Sequence, residues 1–154
     1  MHATWRGVIL GGLLATGACG GPQPPPFRPV VDTKLLMQAV VDPAADAVWE
    51  ATGWIITADG ILQRKPKDAE AWTAVRNQAV ALTEAGNLLM MAPRAKDGGE
   101  WMKRAGEMIA QGEAAMHAAE ARDWDKLFSV GGDIYEACSA CHEEYLDANV
   151  NANK

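Results

Sequence analysis

Aromatic side chains make up only 6% of this 154-residue chain, with two Phe and two Tyr. No run of alternating apolar and polar residues marks a half-buried strand. Their absence leaves helices as the material of the fold. A surplus of positive charge is missing too: 14 Lys and Arg face 20 Asp and Glu, a formal charge of −6. That balance argues against a nucleic-acid partner, which would require a basic face. It suits a basic protein partner or simply a solvated acidic surface. The apolar run from Gly7 to Leu14 is too short to cross a bilayer as a helix. Catalytic groupings are absent as well. There is no Ser/His/Asp set and no glycine-rich phosphate loop after a strand, so nothing in the chain reads as an enzyme.

Cysteine and histidine are equally scarce, at three each. Two of the cysteines and one histidine are concentrated in Cys138-Ser139-Ala140-Cys141-His142. This is the attachment pattern of a c-type haem. Two thiols at that spacing lie on one side of a helical turn, where they can form thioethers to the vinyl groups of one porphyrin. The adjacent imidazole then faces the iron. The alternatives are a structural disulfide or half of a zinc site. A zinc site needs two more ligands, and those remaining are Cys19 and His2 near the N-terminus and His117, which stands alone and reads as a surface residue. A thioredoxin-type site would need a neighbouring strand and a βαβ context. No second Cys-x-x-Cys-His occurs, so one haem c is the expected complement.

The N-terminus indicates a compartment. Residues 1–19 carry one charge, Arg6, then the apolar run and small residues from Ala15 to Ala18, the shape of a secretory signal peptide. Cys19 follows Thr16-Gly17-Ala18 and resembles the acylated cysteine of a bacterial lipobox, although Thr16 stands where Leu is usual. Acylation of Cys19, plain cleavage near Ala18 and an uncleaved anchor all put the folded part outside the cytoplasm. The expected location is the periplasm, with a lipid tether at Cys19. Residues 20–32, rich in proline at Pro22, Pro24, Pro25, Pro26 and Pro29, read as an extended spacer.

Residues 33–154 suffice for one domain. Their three-to-four-residue apolar period predicts four helices and an all-α, antiparallel four-helix bundle. The first spans Thr33 to Ala58 and is interrupted at Asp42-Pro43. The second spans Lys67 to Met91 and stops before Pro93, and the third spans Gly99 to Arg122 with Trp101, Ala105 and Met108 on its stripe. The fourth spans Trp124 to Asn149. Its stripe of Leu127, Ile134/Tyr135, Cys138, Cys141/His142 and Tyr145 directs the motif toward the interior, so the haem is expected inside the bundle on the last helix. Thr57 to Pro66 reads as a loop. Trp49 and Trp54 are candidate pocket residues, Asp42, Asp46 and Glu50 form a solvated face, and Met90, Met91, Met102, Met108 and Met116 read as core packing.

A haem motif on the last helix of an exported helical chain of this size resembles the cytochrome c prime family. The matching residues are Cys138, Cys141 and His142, the flanking Tyr135 and Tyr145, and Met37 in Leu35-Leu36-Met37. The resemblance implies Cys138 and Cys141 as covalent haem attachments, His142 as axial iron ligand and Met37 as the residue at the sixth position. With Met37 bound, the iron is six-coordinate and suited to electron transfer with a redox partner protein. With the position open, it is a five-coordinate binder of gases such as nitric oxide. The resemblance also implies a homodimer formed through the first two helices. The departures are Glu143, Glu144 and Leu146, where basic residues commonly follow the motif, and Asp42-Pro43 in the first helix.

Overall fold

The computed structural model describes residues 27–151, with side chains as far as Leu146, so Cys19, the expected signal peptide at 1–19 and most of the expected spacer at 20–32 lie outside the described residues. The chain is mostly helical. Helix α1 (Thr33–Leu36), a π-helical segment (Met37–Val41) and α2 (Asp42–Ala51) follow one another without a break and make the first helical column. The hairpin β1 (Gly53–Thr57) and β2 (Gly60–Arg64) leads to α3 (Ala69–Met90), α4 (Glu100–Ala121) and α5 (Trp124–Asn151). Consecutive columns pack side by side, and α5 returns to contact α2.

Each column starts where the sequence supplies an acceptor. Asp32 accepts from the Leu35 N–H at 2.8 Å, and Asp68 accepts from the Ala71 N–H at 2.8 Å. Between α4 and α5 the turn is two residues long. Arg122 adopts a left-handed conformation (φ 55°) and donates its N–H to the carbonyls of Ala118 and Ala119, and Asp123 caps the next helix through the Lys126 N–H at 3.0 Å. Pro43 explains the π segment. It has no N–H for the preceding turn, and that turn widens so that the Asp42 N–H reaches the Met37 carbonyl.

The core runs along the column axis through Leu36, Val48, Leu82, Leu127, Val130 and Ile134, all fully buried. Burying each such side chain contributes about 1.5–3 kcal/mol. Small residues let α3 and α4 approach closely. A Cβ on Gly112 would collide with Thr83, and one on Gly86 would collide with Ile109. These two glycines thus permit tight packing between α3 and α4.

Two expectations need correction. The first helix ends at Ala51, not Ala58, and Thr57 to Arg64, expected as part of a loop, carries the end of β1, the turn and β2, so the mostly helical fold includes a small two-stranded sheet. Gly53 at φ 147° and Gly60 at φ 139° bend the chain as L side chains rarely do. Between them the β-branched pair Ile55 and Ile56 aligns with Leu62 and Ile61, and Thr57 faces Gly60 across Ala58-Asp59. The second, third and fourth predicted helices match α3, α4 and α5 within two residues at each end. Asp42, Asp46 and Glu50 are exposed, as is His117, which lies 3.4 Å from Glu120. No helix among the described residues is long and apolar enough to cross a membrane.

Candidate functional site

The motif occupies a continuous stretch of α5, where helical geometry sets Cys138 and Cys141 one above the other on the side facing α4. Both are free thiols and half-buried. Burial pushes both thiol pKa values up, so each sulfur carries its proton at neutral pH. At Cys141 the Arg104 cation partly opposes this. His142 is exposed and stands at the rim.

These three residues and Ala137 of α5 border a cavity whose remaining walls come from Met37 of the π segment, Leu89 of α3 and Trp101, Arg104, Ala105 and Met108 of α4. Three helical columns thus meet α5 at this point, and the lining is almost entirely apolar. Met37 is half-buried. The enclosed part measures about 30 Å³, and the whole recess with its open mouth about 380 Å³.

Trp101 is fixed in the wall from two sides. Its indole N–H donates to the Leu89 carbonyl at 2.9 Å, and the Tyr145 ring forms a T-shaped pair with it, centroids 5.0 Å apart at 82°. The Tyr145 hydroxyl donates to Asp97 Oδ2 at 2.5 Å. This bond, joined by N–H bonds from Gly99 and Trp101, holds the Asp97 carboxyl below its ordinary range and pushes the Tyr145 hydroxyl above its own.

Arg104 is pinned by carboxylates at both terminal nitrogens, Glu107 and Glu100, each at 3.0 Å. Its Nε–H is buried and has no hydrogen-bond acceptor among the described residues, because Glu144 stops 3.6 Å away. Such a donor is costly unless an acceptor arrives.

The donor chemistry fits a covalently held haem. Protonated, half-buried thiols can add across vinyl groups, an imidazole stands beside them, a thioether shares the cavity, and apolar walls suit a porphyrin face. Room is the other requirement. The enclosed space, about 30 Å³, holds about a water or two, so seating a porphyrin requires the helical columns that line it to part. Among the described residues no three or more His, Cys, Asp or Glu side chains are grouped as a metal site, so the two thiols meet no zinc-type ligand set.

Some predicted pocket residues lie elsewhere. Trp49 donates its indole N–H to the Gly131 carbonyl at 2.8 Å, away from the cavity, and Trp54 belongs to the hairpin, half exposed, with its ring 5.3 Å from Trp124. Tyr135 points outward and is 61% exposed, so it is no part of the interior stripe. The sequence reading missed Trp101, Arg104 and Met108 as wall residues. Their 3-4-7 spacing on one helical face was the available signal, although it marked only a core stripe.

Comparison with protein-family models, curated proteins and solved structures finds no match.

Proposed function

We propose that this protein is an exported monohaem c-type cytochrome, similar in plan to the cytochrome c prime family, that carries electrons and catalyses no reaction of its own. Cys138 and Cys141 hold haem c through thioethers, His142 is the axial ligand and Met37 provides the sixth. The observation that carries this reading is that Met37, from the first column, and the complete Cys-x-x-Cys-His motif, from the last, border one apolar cavity. A bare motif on a surface helix would lack that partner. Haem bound there supplies one-electron exchange at its iron. The chain's own contribution is to exclude water from the porphyrin faces with Leu89, Trp101, Ala105 and Met108, and to present a buried N–H from Arg104.

The second reading is a five-coordinate gas binder, and the half-buried state of Met37 favours it. A side chain that swings aside leaves an apolar space suited to a small neutral molecule such as nitric oxide. An optical spectrum of purified protein separates the two readings. Low-spin ferrous bands support the carrier. A high-spin spectrum with free binding of carbon monoxide supports the gas binder, and an absence of haem bands overturns both.

Periplasmic location with a lipid at Cys19 completes the proposal. The acidic balance of the chain suits a basic redox partner. Mass spectrometry of the mature N-terminus tests acylation, and sedimentation tests the homodimer implied by the family resemblance.

A further inference from the structure

We infer that Asp97 and Tyr145 form a latch that holds the turn of α5 bearing His142 in the orientation its imidazole needs; this rests on the haem reading above. One carboxylate serves both elements. Asp97 Oδ1 accepts from the Gly99 N–H at 2.8 Å and the Trp101 N–H at 3.1 Å, which starts α4, and Oδ2 accepts from the Tyr145 hydroxyl at 2.5 Å.

Tyr145 lies three residues after His142, close to it along the helix face. From His142 to Leu146, Tyr145 alone is half-buried and the other four residues are exposed. The neighbouring tie from Glu144 to Arg104, at 3.6 Å between partly exposed groups, contributes little. Rotating or sliding α5 past α4 would break the phenol–carboxylate bond and the edge contact with Trp101 together. Cys138 and Cys141 anchor the porphyrin rim, but neither thioether fixes the imidazole's angle. In this arrangement Asp97 and Tyr145 are positioning residues, acting on the iron only through His142.

The test compares Tyr145→Phe, which keeps the ring, and Asp97→Ala with the control Asp68→Ala. The control removes the matching cap of α3, whose acceptor takes the Ala71 N–H at 2.8 Å. In the haem-free chain, amide hydrogen exchange across residues 138–146 should accelerate about tenfold in the first two variants, as expected for loss of a charge-assisted hydrogen bond. In haem-loaded protein carrying Met37→Ala as background, which leaves the ferrous iron five-coordinate, the iron–histidine stretching frequency should fall when either change is added. Asp68→Ala should accelerate exchange in α3 and leave both readouts at the motif unchanged. The latch is overturned if Tyr145→Phe leaves exchange at the wild-type value and the stretching frequency at that of Met37→Ala alone, or if Asp68→Ala moves them equally. Wild-type chain that carries no haem would overturn the haem reading separately, and the exchange measurement would still decide whether the two residues hold this turn.

Discussion

Met37 and Cys138 border the same cavity although one begins a π-helical segment in the first column and the other lies deep in the last. Pro43 is the local cause. By denying the preceding turn a donor it widens the helix where Met37 sits. A sulfur that opens or closes the iron's sixth position would thus be mounted on a stretch of non-standard helix.

Attachment is the first expectation. Each thiol is expected to form its own thioether, so acid–acetone extraction should leave haem on the polypeptide. The double variant Cys138→Ala/Cys141→Ala should lose it. Clean extraction of haem from the wild-type chain would sink the assignment.

Met37→Ala should move the ferrous haem from low to high spin, lower the reduction potential and admit carbon monoxide rapidly. Met108 is unsuitable as a control because it lines the same cavity. Met116, packed against the core away from it, is the better one. Met116→Ala should cost stability, at most about 2–5 kcal/mol, and leave the spectrum unchanged. Equal spectral changes in both variants would mean that Met37 acts through packing alone.

Gly112→Ala should destabilise the chain by about 1–3 kcal/mol, because the new methyl group meets the Thr83 side chain and backbone with no room to move. Gly132 is exposed on α5 and has nothing within 4 Å of an added Cβ. There alanine should stabilise by about 0.5–1 kcal/mol, through helix propensity. Thermal melts of the two variants in opposite directions would confirm the close approach of α3 and α4.

The Asp97–Tyr145 bond should stabilise the fold only within a window of pH. The Asp97 carboxyl is held below its ordinary 3.8, chiefly by the Tyr145 hydroxyl, so its contribution is complete above that value and disappears as pH falls through the lowered pKa. The Tyr145 hydroxyl is pushed above its ordinary 10.0, chiefly by Asp97, so its contribution is complete below pH 10 and declines above it. The stability difference between wild type and Tyr145→Phe, followed by urea melts, should be flat near neutrality and shrink at both extremes. A difference that persists in strong acid would contradict the assignment.

The period of apolar residues made α3, α4 and α5 readable to within two residues, because Asp68, Arg122 and Asp123 act within a turn of the boundaries they set. The first helix was read too far. Trp54, Ile55 and Ile56 continue an apolar pattern, and only the backbone at Gly53 and Gly60 shows that the chain has already turned into a hairpin.

From the sequence alone came the motif Cys138, Cys141 and His142, since its chemistry lies within one helical turn and needs no distant residue. Which residues face that motif was decided by tertiary structure. Trp101, Arg104 and Met108 share a face with many core positions. They become cavity walls because Gly86 and Gly112 let α3 and α4 close on each other while α5 packs against α4. Trp49 and Trp54 show the converse. Both are aromatic and near the right helix, yet an N–H bond to Gly131 holds one and a hairpin carries the other away. A helical period states which side of a helix is apolar, and packing between columns selects what that side meets.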